Sequence, residues 1–182
     1  MKSQTGLKIG DKLPEFVLTA TNGRECNLYE FEESKIIVVM FTCNHCPYVI
    51  AYEDRLIKLQ KDFSKEGVTF VGINSNDEIN YPEDGFENMV KRAKEKNYNF
   101  PYLRDDKQVV AKIFGATRTP EIFLFDQNRI LQYHGRIDDN WKEPEKVEEE
   151  SLKEAIEALL SGKSVLEQET QAIGCTVKWA SG

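Results

Sequence analysis

An unbroken apolar run, Ile36-Ile37-Val38-Val39-Met40-Phe41, passes through Thr42 into Cys43-Asn44-His45-Cys46, and Pro47 follows at once. A continuous β-branched run of this length predicts a strand buried on both faces. Beyond Pro47, the residues Val49, Tyr52, Leu56, Leu59 and Phe63 recur at helical spacing, so a helix extends from there to about Phe63. The cysteine pair therefore sits where a sheet hands over to a helix. The sheet holds the loop, and the helix start aims unpaired N–H groups at Cys43. That favours the thiolate, the reactive form of cysteine. The spacing lets Cys46 reach back across one turn and close a disulfide. A protonated His45 would add to the stabilisation. The expectation is a depressed Cys43 pKa and a pair more oxidising than one with Gly-Pro between the cysteines.

The rest of the chain supplies the frame. Glu15 to Ala20 reads as a strand and Asn22-Gly23 as a hairpin turn. Gly67 closes the long helix, and Val68 to Ile73 is the next buried strand. Tyr81-Pro82-Glu83-Asp84 opens a charged helix to about Lys96, with Pro82 early in it. Asp105 caps a short helix through Phe114, ended by Gly115. Glu121 to Phe125 and Arg129 to His134 are strands joined by the turn-like Asp126-Gln127-Asn128. Glu145 to Leu160 is the last helix, and the tail from Lys163 onward has little periodicity. This order predicts a three-layer α/β fold with a central mixed β-sheet, an N-terminal hairpin and a C-terminal tail. The reading is one domain over 1–182, with a core of about 10–160 and an extension at 163–182.

With a net charge of −7 over 182 residues, neither nucleic acid nor an anionic membrane surface is expected as a partner. Met1 to Lys8 has no apolar stretch of the kind a secretory leader needs, so the expected compartment is the cytosol. Four cysteines in this length are too sparse for a disulfide framework. A zinc site wants four ligands, commonly two such pairs. Here Cys26 and Cys175 stand apart, so neither a metal nor a cofactor is expected.

Thr119-Pro120 stands immediately before a strand. With a Cys-x-x-Cys pair upstream, a cis bond is the favoured reading, and the Thr119 backbone can then pair with an extended substrate. Arg118 either lies beside the cysteines to stabilise a thiolate or a peroxide oxygen, or is a solvated arginine. Cys175 either anchors the tail as a small buried residue, the reading preferred here, or returns as a third thiol. Cys26 reads as structural and His134 as a packed histidine. Asp138-Asp139-Asn140-Trp141 reads as a solvated loop at the site rim, and Glu148-Glu149-Glu150 as a helix face.

The segments Ile9-Gly10-Asp11-Lys12-Leu13-Pro14-Glu15-Phe16 and Gly115-Ala116-Thr117-Arg118-Thr119-Pro120-Glu121-Ile122-Phe123-Leu124-Phe125-Asp126 carry a resemblance. From about Gly10 to Leu160 the chain resembles the thioredoxin-like superfamily in its peroxiredoxin-like branch, the alkyl hydroperoxide reductase and thiol-specific antioxidant group. The stretch between Asn74 and Phe114 is similar to that group's extra helix and strand. The ending Gly174-Cys175-Thr176-Val177-Lys178-Trp179 is similar to a redoxin subfamily. The resemblance implies Cys43 as attacking thiol and Cys46 as resolving thiol, with Thr42, Asn44, His45, Arg118, Thr119 and Pro120 supporting them. It departs from the branch at the pattern P-x-x-x-[TS]-x-x-C. That pattern meets Val39 and Cys43 in one register and Ile36 and Met40 in the other. The buried acid of many thioredoxins is replaced by Ile37, and the tryptophan before the first cysteine by Thr42.

Three activities follow. The first is exchange with protein or small-molecule disulfides, turned over by a thioredoxin or a low-molecular-weight thiol. The second is reduction of peroxides through a sulfenic acid. The third is Cu(I) carriage by soft thiolates with a distant histidine such as His134, although such chaperones place three residues between their cysteines.

Overall fold

The computed structural model describes residues 6–181. The leader reading rests on Met1–Lys8, of which 1–5 lie outside the described residues. In chain order the strands are β1 (Val17–Ala20), β2 (Glu25–Asn27), β3 (Ile36–Phe41), β4 (Val68–Asn74), β5 (Tyr102–Arg104), β6 (Arg118–Thr119), β7 (Glu121–Phe125), β8 (Leu131–Gly135) and β9 (Cys175–Thr176). The helices are α1 (Pro47–Phe63), α2 (Phe86–Glu95), α3 (Val109–Phe114) and α4 (Ser151–Leu160).

The main sheet runs β2-β1-β5-β4-β3-β7-β8, and β6 pairs separately with β9. Strand β3 lies parallel to β4 and antiparallel to β7, so the sheet is mixed, as expected. Every residue of β3 is buried, because both faces are covered. Ile37, Val39 and Phe41 point to one side, where they join Phe114 of α3 and Phe123 and Phe125 of β7. Ile36, Val38 and Met40 point to the other and meet Tyr52, Leu56 and Phe63 of α1 with Leu152 and Ile156 of α4. Alternation along a strand sends successive side chains to opposite faces, and helices on both sides make the three expected layers. Among the described residues, no helix is long and apolar enough to cross a membrane.

Helix α2 is clamped to α1 by the buried Glu53. Its carboxylate accepts from Arg92 Nε at 2.7 Å, Arg92 Nη2 at 2.5 Å and the Tyr98 hydroxyl at 2.8 Å. A two-pronged guanidinium–carboxylate pair fixes orientation as well as distance.

Several elements differ from the pattern reading. The first strand begins at Val17 rather than Glu15, and β8 runs from Leu131 to Gly135 rather than from Arg129 to His134. The helix expected over Tyr81–Lys96 is a 3-10 turn at Pro82–Asp84 and then α2, separated by extended backbone at Gly85. The break turns Asp84 inward. The last helix starts at Ser151, after a 3-10 turn at Pro144–Lys146. Glu148-Glu149-Glu150 is not a helix face. Its backbone is engaged by the preceding loop, with Asp139 N donating to Glu149 O and Glu148 N donating to Asp139 Oδ1, while Glu149 pairs with Arg136. Asp105 does cap α3 from four residues upstream, accepting from the N–H groups of Val109, Val110 and Ala111. The aperiodic tail is ordered by outside partners. His134 N donates to Gln168 O and Thr170 N to His134 O, which carries the tail along the edge of β8 toward β9.

Candidate active site

The β3–β7 register assembles the site. It sets Phe41 opposite Glu121 in antiparallel pairing, so two steps further along each strand Cys43 comes opposite Thr119. The Thr119–Pro120 bond is cis, as read from the sequence. Cys43 Sγ and Thr119 Oγ1 share a hydrogen bond at 3.5 Å, and Cys46 Sγ is 3.3 Å from Thr119 O, placed to donate its S–H there when protonated. Thr42 extends the strand by donating its N–H to Ile73 O at 2.9 Å. Cys46 is the N-cap residue of α1, with Pro47 in the first turn. Cys43, Cys46 and Val49 form a small buried cluster against which Tyr48 and Cys175 pack.

The two residues between the cysteines are held from the insert. Asn44 N donates to Asp84 Oδ1 at 2.7 Å, Asn44 Nδ2 donates to Glu83 O at 2.8 Å, and the Tyr102 hydroxyl donates to Asn44 Oδ1 at 2.8 Å. Asp84 is fully buried. Besides Asn44 it accepts from Asn74 Nδ2 at 3.2 Å and Asn76 Nδ2 at 2.8 Å. His45 Nδ1 lies 2.7 Å from Asp84 Oδ2 but off the line of a hydrogen bond, and the ring stacks on Tyr81. His45 thus faces a carboxylate as well as the cysteines. Asp84 is the residue that pattern reading missed. Nothing in Pro82-Glu83-Asp84 separates it from the exposed Glu83 beside it; only the fold brings it under Cys43.

The electrostatics reverse the sequence expectation. Cys46 is the sulfur whose pKa is lowered, because the Cys43 S–H points at it and because it also receives the Cys175 thiol and the backbone N–H of Val49, against the cost of burial. Cys43 is raised, first through that same hydrogen bond to Cys46, then by burial and by the nearby negative charge of Asp84. The pair shares one proton, with the charge on the sulfur at the helix start. A group lowered in the folded state stabilises that state above its ordinary range and loses the contribution as pH falls through the lowered value. One thiolate should therefore persist in the reduced protein at pH well below the ordinary thiol range of about 8.5. The ultraviolet absorbance of the thiolate reports it. The signal should vanish in Cys46→Ser, and titration of both sulfurs near the ordinary value would refute the assignment.

Both sulfurs are sealed, Cys43 being 1% and Cys46 0% exposed. The cover is the C-terminal tail. β9 pairs antiparallel with β6, Thr119 opposite Cys175 and Arg118 opposite Thr176. The backbone edge expected to receive a substrate is thus filled by this chain's own strand. Arg118 is exposed and does not bond the cysteines; its Nη1 donates to Gly174 O at 3.3 Å, so it holds the tail. The cis-proline loop itself is braced by Glu121, whose Oε2 accepts from Thr117 N at 2.7 Å and Arg118 N at 2.9 Å. Its Oε1 meets His134 Nε2 at 2.7 Å, and the His134 ring stacks on Phe123, the packed role foreseen for it. Cys26 is buried in β2 and pushed up to about 11, mainly by burial, in keeping with a structural role. Asp138 is not solvated as expected. It accepts from the Tyr52 hydroxyl and from Arg55 on α1, while Trp141 tilts against Tyr48 beside the site.

Among the described residues, the Cys43, His45 and Asp84 ligand atoms lie within 4.8 Å of one another. Asp84 already accepts from three amide groups and faces His45, and a closed tetrahedral metal site needs a fourth donor.

The AhpC/TSA family matches residues 9–134. The thiol-disulfide oxidoreductase ResA of Geobacillus thermodenitrificans is 25% identical over 127 residues, covering 69% of this chain and 67% of that protein. The chloroplastic peroxiredoxin Q of Gentiana triflora is 26% identical over 157 residues, covering 79% of this chain and 64% of that protein. The match thus spans about two thirds of the length of these curated relatives. A solved structure of a hypothetical protein from Sinorhizobium meliloti 1021 is 38% identical, with a TM-score of 0.92 over 100% of both chains. The fold is thioredoxin-like.

Proposed function

Since the chain belongs to the AhpC/TSA family, we propose that it is a thiol–disulfide oxidoreductase in which Cys43 attacks a substrate disulfide and Cys46 releases the product. The observation that carries this reading is a dithiol held against a cis Thr119–Pro120 bond, with Cys43 Sγ 3.5 Å from Thr119 Oγ1 and Cys46 Sγ 3.3 Å from Thr119 O. As Cys43 attacks, its proton passes to the Cys46 thiolate. The first substrate sulfur leaves as a thiolate and takes that proton from Cys46. The restored Cys46 thiolate then attacks the Cys43 sulfur, expels the second substrate sulfur and closes Cys43–S–S–Cys46. One substrate sulfur leaves as a thiol and the other as a thiolate that takes its proton from water, and the enzyme carries the disulfide. The stabilised charge at Cys46 thus serves the base step first and the release step second. A thioredoxin or a low-molecular-weight thiol returns the electrons, and a reducing cytosol suits the cycle. The Thr119 edge, which β9 fills in this structure, would pair with an extended polypeptide substrate once that strand is displaced.

A second reading, peroxide reduction at Cys46, draws on the place of that sulfur at the α1 start, with Cys175 packed against its cluster. Against it, the Thr119 hydroxyl lies beside Cys43, while Cys46 meets the Thr119 carbonyl. One trapping experiment tests the first reading. Cys46→Ser mixed with a small disulfide should accumulate a covalent adduct on Cys43, found by mass spectrometry. If the adduct forms only on Cys46 in Cys43→Ser, while peroxide is consumed and disulfides are not, the peroxidase reading replaces it.

A further inference from the structure

The tail after α4 ends as a strand laid on the site, and the manner of its docking is specific. Gly174 passes so close to the cis-proline loop that a Cβ there would overlap Thr119 O and approach Pro120 N to 3.1 Å. Cys175 follows, opposite Thr119 in antiparallel register. Its side chain packs on the Cys43–Cys46 cluster, and its thiol and backbone N–H both act on Cys46. Beyond it, Val177 N donates to Thr117 O, Lys178 N to Asn76 Oδ1 and Ala180 N to Gln108 Oε1. Gln108 Nε2 in turn donates to Lys178 O. The strand is thus fixed on both sides of its cysteine, with the Cys175 side chain against the Cys43–Cys46 cluster. A segment that merely plugged the site would need no thiol at that place.

We propose that Cys175 is a third redox thiol, which exchanges with Cys46 while β9 occupies the groove a polypeptide substrate would use. The proposal rests on the disulfide-exchange reading above and extends it by one step. Once a substrate has left the enzyme as Cys43–S–S–Cys46, the Cys175 thiolate attacks the Cys46 sulfur. The Cys46–Cys175 bond forms, the Cys43–Cys46 bond breaks, and the electron pair leaves on Cys43, which takes up the proton that Cys175 gave up. No external oxidant or reductant is consumed. The outcome is a free Cys43 beneath a covalently fastened tail, with the oxidising equivalent moved outward to the half-buried Cys175, where a reducing partner meets it first. The raised Cys175 thiol, about 11 and mainly from burial, makes the transfer faster at alkaline pH, since only the thiolate attacks.

Disulfide mapping tests this on the full-length chain. Reduced protein is oxidised with oxidised glutathione, free thiols are alkylated, and the bridges are identified by peptide mass spectrometry. Wild type should show both Cys43–Cys46 and Cys46–Cys175. Cys43→Ser should pass through a Cys46–glutathione adduct to Cys46–Cys175, releasing glutathione. Gly174→Val removes no sulfur but displaces the strand. It should lower the Cys46–Cys175 yield at least tenfold and speed alkylation of Cys43 and Cys46 by a similar factor. The proposal is overturned if wild type forms only Cys43–Cys46, if Cys43→Ser stops at the glutathione adduct with Cys175 free, or if Gly174→Val forms the Cys46–Cys175 bridge as well as wild type does. In the first two cases, wild-type disulfide reduction would continue and the reading it rests on would stand. If wild type forms neither bridge and reduces no disulfide, both fail.

Discussion

Cys43→Ser is expected to lose at least about a thousandfold in kcat/KM for disulfide reduction, about 4 kcal/mol of transition-state stabilisation. The loss is large because serine cannot form the mixed disulfide at this position, which leaves only the slower route through Cys46 and Cys175. The substitution is nearly isosteric and the site is rigid, since Thr119 and the helix start are positioned by the sheet. Folding should therefore be little affected, and the melting temperature of the reduced protein serves as the control. Cys46→Ser should be comparably inactive in turnover for a different reason: its first attack proceeds, but the product stays bound through Cys43. Steady-state reduction of a small disulfide, read beside the covalent adduct, separates the two. If Cys43→Ser retained more than about a tenth of wild-type turnover, Cys43 could not be the attacking sulfur.

Asp84→Ala is expected to cost about 3 kcal/mol of stability. The carboxylate is fully buried and accepts from Asn44 N, Asn74 Nδ2 and Asn76 Nδ2. Alanine leaves those donors without the acceptor in a buried place, and an unsatisfied buried group costs far more than the net worth of the bond it lost. For a chain of this size the loss corresponds to a melting temperature lower by about 10 °C. Asp84→Asn should cost less, because the amide oxygen still accepts, and it isolates the charge. Asp84 raises the Cys43 thiol, so removing the charge lowers it. The pH at which Cys43 reacts with an alkylating probe in Cys46→Ser should then shift downward when Asp84→Asn is added. An unchanged profile would mean that Asp84 holds the loop without steering the charge. Cys43→Ser and Asp84→Asn together should show no further loss of turnover beyond Cys43→Ser alone, since they act on the same sulfur.

Much of the site was legible in the chain. The β-branched run, the Cys-x-x-Cys pair and the proline-started helix each carry a local signal, and a local signal survives whatever the rest of the fold does. Thr119-Pro120 was legible in the same way, since a proline at the mouth of a strand constrains its own backbone. Asp84 was not. It is separated from Cys43 by the whole of α1 and β4, and its role comes from the extended backbone at Gly85, which turns it inward. The acidic triplet at 148–150 misled for a related reason. Helical composition does not make a helix when the backbone finds partners in a neighbouring loop, as Glu149 does with Asp139.

The sequence by itself determined the dithiol and the buried strand that presents it, because both depend on residues adjacent along the chain. Which sulfur carries the charge was decided only in three dimensions, by the convergence of the α1 start, Asp84 and Cys175 from distant segments. The same holds for the sealed state of the site. A tail without periodicity gives no sign of its place until Gly174 allows it to lie against Thr119, where packing and backbone pairing, rather than any local preference, hold Cys175 over Cys46.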